Sequence, residues 1–99
     1  MRSIIKTNAY KKDLQRESSG KYWLVLATDL PNIIEMLAAD VVLPAKYRDH
    51  MLTGNWTGHG ECHIKPDLLL LYMKIDDEIS EDKSGELRLV RLGSHAELF

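Results

Sequence analysis

Leu68-Leu69-Leu70-Leu71 is apolar at four successive positions and is preceded by the turn residues Pro66-Asp67. Side chains on a strand alternate between its two faces, so a strand without a polar position needs cover on both. A central strand in a sheet backed by helices provides that cover. The runs Trp56 to Ile64, Leu68 to Ile75 and Leu87 to Leu92 read as strands, with Pro66-Asp67 and the acidic segment 76–86 as turns. Consecutive strands joined this way pair antiparallel. Upstream, Ser3-Ile4-Ile5-Lys6 reads as a first strand, and Asn8 as the cap of a helix through Lys11, Lys12 and Leu14. Ser18-Ser19-Gly20 ends or interrupts that helix, and Tyr22 to Ala27 reads either as its continuation or as a second segment. Asp29 with Pro31 predicts the start of another helix, in which Leu30, Ile33, Ile34, Leu37 and Ala38 share one face before it ends near Asp40. Pro44 opens an irregular stretch that holds Tyr47-Arg48-Asp49-His50 in a loop. The expected class is α+β, with two or three N-terminal helices packed on a small twisted antiparallel sheet of about four strands. At 99 residues a second core is out of reach, so one domain, 1–99, is expected.

An apolar fraction of 44% beside 28% charged residues marks an ordinary globular chain and excludes a disordered one. No apolar run approaches the roughly 18 to 20 residues of a membrane span, and Met1 to Tyr10 lacks the apolar stretch of a secretory signal. Cys62 is the single cysteine, too few for an internal disulfide or a cysteine-based zinc site. A cytoplasmic protein without membrane contact is expected. The formal charge of -2 is unevenly spread, because 76–86 holds six acids (Asp76, Asp77, Glu78, Glu81, Asp82, Glu86) against Lys83 alone. That segment reads as an exposed hairpin tip serving solubility and edge protection. The stretch up to Thr28 holds six bases against Asp13 and Glu17. Such a basic face attracts a phosphate backbone, although an ordinary solvated helix surface accounts for it equally well.

All four histidines, His50, His59, His63 and His95, lie in the second half, near polar or turn residues. Imidazole changes charge near neutral pH, so two of them at one phosphodiester can serve as base and acid in turn. Strand alternation sets His59, Glu61 and His63 on one face, and imidazoles with a carboxylate suit a divalent transition metal. The zinc-protease spacing and a thiolate cluster are both missing, and Cys62 reads as a small packed side chain. In the tail, one helical turn would put His95 and Phe99 on the same side, while Leu98 and Phe99 would also serve simply to pin the terminus.

The blocks Asp49-His50, Leu52-x-Gly54-Asn55-Trp56-x-Gly58, Glu61-Cys62-His63-Ile64-x-Pro66-Asp67, Leu69-Leu70-x-Tyr72 and Arg91-x-Gly93-Ser94-His95-x-x-Leu98-Phe99 resemble the YafQ branch of the RelE-like mRNA interferase toxins. They cover most of 47–99, whereas 1–46 matches only in helical layout and in its basic first helix. The resemblance implies a RelE-like fold and a metal-independent endoribonuclease that needs no cofactor. It would cut translated mRNA in the 30S A site of the ribosome, touch ribosomal RNA, and be silenced by a cognate antitoxin. His50, His63, Asp67, His95 and Phe99 are the implied catalytic set. His50 would be the base, positioned by Asp67, and His95 the acid, with these two roles open to exchange, and His63 would donate to the phosphate. Arg91 would neutralise transition-state charge, and Lys11, Lys12 and Arg16 would meet RNA backbone. The chain departs from the family pattern at Leu68, where a tryptophan is usual, and at Met51, His59 and Leu92. A catalytically weak or silent toxin-like protein, acting through antitoxin or ribosome binding, is the alternative.

Overall fold

The computed structural model describes residues 1–77 and 85–99. In chain order the elements are β1 (Ser3–Lys6), α1 (Asn8–Ser18), α2 (Trp23–Ala38), β2 (His50–Met51), β3 (Gly60–Lys65), β4 (Leu68–Ile75), β5 (Glu86–Gly93) and α3 (His95–Leu98). Short 3-10 turns occupy Ala45–Tyr47 and Gly54–Trp56. The strands form one sheet in the order β1-β5-β4-β3-β2. The helices and sheet make the expected α+β class, and two features add to it. His50–Met51, expected in a loop, forms a two-residue edge strand paired with Glu61 and Gly60. β1 lies parallel to β5, with Ile4 opposite Leu87, because the three antiparallel steps from β2 through β3 and β4 bring β5 back in the direction of β1.

The cap of α1 lies one residue before the expected Asn8, which is itself the first helical residue. Thr7 is the cap, its hydroxyl oxygen accepting from Tyr10 N at 3.0 Å and donating to the Val90 carbonyl at 2.8 Å. The expected start of α2 at Asp29 and Pro31 is corrected: the helix begins at Trp23 and carries Pro31 inside it. Proline removes one backbone donor, but Leu26, Leu30, Ile33 and Leu37 form a continuous buried stripe that holds the helix across that point. The segment Tyr22 to Ala27 therefore belongs to α2 rather than to α1. The first strand of the predicted trio is also shorter, since Gly54–Trp56 turns and only Gly60–Lys65 extends.

The leucine run divides as alternation requires. Leu68 and Leu70 join the main core with Tyr10, Leu26, Ile33 and Leu37, while Leu69 and Leu71 join Leu98, Leu52, Trp56 and Val90 on the opposite face. An irregularity between Leu71 and Tyr72 pairs them with Arg91 and Leu89, leaving Val90 as the extra residue of β5. This bulge lets Leu89 and Leu92 both face the helices, three positions apart. The 76–86 turn is framed by Ile75 opposite Glu86, and the part of the acidic hairpin tip at 78–84 lies outside the described residues. Among the described residues no helix is long and apolar enough to cross a membrane.

Candidate active site

Residues directly opposite on paired strands share a face, which fixes what surrounds the histidines. His63 stands opposite Leu69, Glu61 opposite Leu71, and His50 opposite Glu61. All three polar side chains therefore lie on the leucine-floored face turned away from α1 and α2. α3 completes the crevice. Ser94 caps it, its hydroxyl accepting from Glu97 N while Ser94 N donates to Glu97 Oε1 at 3.0 Å, and Leu98 is buried beneath. His95 and Phe99 are thereby held on the surface above the sheet.

The rings form a continuous row. His50 and His63 are stacked with centroids 6.0 Å apart, His63 and His95 are 5.8 Å apart, and Phe99 follows at 6.1 Å from His95. Trp56 meets Phe99 edge-on at 5.8 Å and His59 at 5.2 Å. His59 is thus at the far end of the row, and the expected His59-Glu61-His63 face is corrected. His59 precedes the strand, its N–H bonded to the Trp56 carbonyl at 3.0 Å and its carbonyl to Leu52 N at 2.8 Å. The third member of the polar cluster is His50.

Hydrogen bonds assign work to individual nitrogens. His50 Nδ1 lies 2.6 Å from the Arg48 carbonyl, which can only accept, so the proton sits on Nδ1 and the Nε2 lone pair of the neutral ring is free. Glu61, almost fully buried, lies 3.7 Å from that Nε2 and 2.9 Å from Nε2 of His63. His63 Nδ1 is buried and lacks a hydrogen-bond partner among the described residues, so its neutral ring carries the proton on Nε2 and donates to Glu61. Asp67 accepts from His95 N at 3.2 Å and lies 3.4 Å from His95 Nδ1. The carboxylate beside His50 is therefore Glu61, and Asp67 serves His95. Sequence reasoning left Glu61 outside the catalytic set. The alternation of His63 with Glu61 was its available signal; the pairing that brings His50 across was not legible.

Asp49 anchors the loop that carries His50. It accepts a short hydrogen bond from the Tyr72 hydroxyl, whose ring crosses Gly60 so closely that a Cβ there would come within 2.3 Å of it. Burial first, and the hydrogen bond to Asp49 second, push the Tyr72 pKa up, so it remains a donor. Burial also lifts the Cys62 thiol to about 12, with Asp49 and Glu61 adding to the effect, which leaves it no nucleophilic role.

The basic residues expected at RNA are distributed differently. Arg91 donates to the buried Asp13 from Nε at 2.6 Å and from Nη2 at 3.1 Å. Arg16 binds Asp13 at 3.1 Å, the Leu92 carbonyl at 3.2 Å and Glu97 at 2.9 Å, joining α1 to α3. Lys11 and Lys12 are exposed on α1. Leu68, at the position of the usual tryptophan, is fully buried on the helix side, so the replacement alters the core rather than the crevice wall.

A family profile described as the bacterial toxin of type II toxin-antitoxin system, YafQ, matches residues 2–99. The mRNA interferase toxin YafQ of Escherichia coli strain K12 is 44% identical over 57 residues, 58% of this chain and 53% of that protein. The matched stretch thus spans about half the length of that relative. Solved structures align over the whole chain. A copper-bound mutant toxin from Helicobacter pylori has a TM-score of 0.79 at 35% identity, covering 100% of both chains. The E. coli DinJ-YafQ complex has a TM-score of 0.76 at 29% identity, covering 100% of this chain and 99% of that one.

Proposed function

Because the chain belongs to the YafQ family of bacterial type II toxins, we propose that it is an endoribonuclease that cuts translated mRNA on the ribosome by metal-independent attack of an RNA 2′-hydroxyl. The observation that carries this reading is the pair of imidazoles either side of His63, each with a ring nitrogen oriented by its own partner. His50 Nε2 takes the 2′-hydroxyl proton, and the oxygen attacks the adjacent phosphorus. The bond from phosphorus to the 5′-oxygen breaks, and His95 gives its Nε2 proton to that oxygen. The products are a 2′,3′-cyclic phosphate and a 5′-hydroxyl. Glu61 stabilises the charge His50 acquires, and Asp67 aligns His95 and supports its charged form. His63, held by Glu61, lies between the two and faces the phosphate, while Phe99 packs on His95 and offers a stacking face to a splayed base. Lys11 and Lys12 meet ribosomal RNA near the 30S A site by charge. Arg16 and Arg91 act from the Asp13 cluster that holds α1, β5 and α3 together. A cognate antitoxin binds the toxin and silences it, a reading supported by the existence of a DinJ-YafQ toxin-antitoxin complex for the E. coli relative.

His50→Ala and His95→Ala should each lower cleavage by roughly 100- to 10,000-fold, read by mapping RNA ends on translating ribosomes. Wild-type cleavage should persist in excess chelator, and a substrate with 2′-deoxy sugars should be inert. Cutting of the deoxy substrate would sink the mechanism. Growth arrest with intact mRNA would instead identify a silent binder.

One feature favours a second reading of the same crevice. The ligand atoms of His50, Glu61 and His63 lie within 4.8 Å of one another, a set suited to copper or zinc. A metal there would take the lone pair that the base needs, making it an inhibitor. Copper titration should then give one bound ion and progressive loss of cleavage, reversed by chelator; full activity of the copper-loaded protein would reject this reading.

A further inference from the structure

Beside His63 a cavity of about 230 Å³ is lined by Lys46, Tyr47, Arg48, His63, Lys65 and Pro66. Among the described residues, Arg2, Arg16, Lys74, Arg88 and Arg91 each have a carboxylate within ion-pairing distance, and of the cations without one, Lys6, Lys11, Lys12, Lys21, Lys46, Arg48 and Lys65, the last three line this one cavity. Three unpaired cations around one concavity, sharing a wall with the reaction crevice, make a local positive field in a chain whose net charge is negative. The backbone supports this arrangement. The 3-10 turn Ala45–Tyr47 ends on Arg48 in the left-handed region, φ 48°, and an irregularity of β3 between His63 and Lys65 re-aims the strand's end. Tyr47 supplies a half-buried aromatic face with Lys46 Nζ 5.0 Å from its centroid.

We propose that this cavity is a nucleotide subsite: Lys46, Arg48 and Lys65 hold the phosphodiester next to the scissile one, and Tyr47 packs against its base. Single-stranded RNA is held in this way, by cations along the backbone and by aromatic stacking that tolerates any base. Arg48 has two functions in this scheme. Its side chain lines the subsite, and its carbonyl fixes the His50 tautomer, so filling the cavity tightens the aim of the base.

The inference rests on the ribonuclease reading, and its test separates the two. The probe is a fluorescein-labelled RNA trinucleotide with 2′-O-methyl sugars, which binds without being cut. Lys46→Ala with Lys65→Ala should weaken its affinity on the order of tenfold, and loss of the phosphate contact they share with Arg48 should flatten the plot of log affinity against log salt by up to about 0.7. Arg48→Asn, tolerated in the left-handed region, should flatten it likewise. Lys21→Ala, on an exposed cation beside Tyr22, should change neither quantity. In cleavage assays the lysine pair should raise KM and leave kcat in place. Variants that melt normally yet bind the probe like wild type, with an unaltered salt slope, would overturn the subsite while leaving the nuclease standing. A wild-type protein that neither binds nor cuts RNA would remove both; one that binds without cutting would leave the subsite to be judged by affinity alone.

Discussion

Tyr72 connects the core to the chemistry through one side chain. Its ring lies over Gly60 in the main core, and its hydroxyl donates to Asp49, next to the proposed base. A hydrogen bond to a charged group contributes about 1.5–3 kcal/mol, so Tyr72→Phe should lower unfolding free energy by about that much in denaturant titrations. It should also reduce cleavage, because His50 follows Asp49. Gly60→Ala should be worse than its size suggests. The added methyl has no room beneath the ring, and overpacking of this kind costs about 1–3 kcal/mol; unchanged melting would show that the ring can slide away. At this scale the sequence was informative wherever a residue's neighbours are local. Alternation placed Glu61 and His63 on one face, and the tail turn placed His95 beside Phe99. It was silent where the partner arrives from another strand, as His50 does.

Between elements, the buried carboxylate of Asp13 is the main junction. It accepts from Arg91, Arg16 and the backbone of Leu92, fastening α1 to β5, and Arg16 carries the link onward to Glu97 of α3. Burial alone would raise its pKa, but the Arg91 hydrogen bond, the Leu92 N–H and the charges of Arg91 and Arg16 bring it below the ordinary 3.8. A depressed carboxylate contributes stability above its unfolded pKa and loses it as pH falls through the folded value. Wild type should therefore weaken as acid is added below pH 3.8, and Asp13→Asn should remove this part of the acid dependence. Breaking a buried pair also costs about 3–5 kcal/mol at neutral pH, measurable by denaturant unfolding. Pro31 permits the opposite experiment. It sits exposed inside α2, so Pro31→Ala should raise stability by about 1–3 kcal/mol; a lower melting temperature would mean the helix depends on the ring. Proline read as a starting signal because the packing that overrides it, from Leu26 to Leu37, comes from the sheet. Arg16 and Arg91 read as RNA contacts for a similar reason: Asp13 is far from Arg91 in sequence.

Across the whole molecule, four consecutive leucines foretold the layering, since only a central strand has cover for both sets of side chains. Antiparallel pairing of the last three strands followed from short connections, but the parallel seat of β1 pairs the first strand with the last, a contact between chain ends that no local pattern records. Net charge was the least informative quantity. At -2 the chain as a whole repels RNA, yet the cations that line the cavity beside His63 are unpaired while several elsewhere are neutralised. With one phosphodiester held in the subsite, that contact should contribute about -0.7 to the slope of log affinity against log salt. A flat dependence would show that binding is not electrostatic.

The Tyr72 contact also bears on how such a protein is disarmed. A substitution that displaced that ring from Gly60 would act from the helix-covered side of the sheet rather than from the reaction cleft. It would release the anchor on the far side and leave the imidazole of His50 unaimed without touching it.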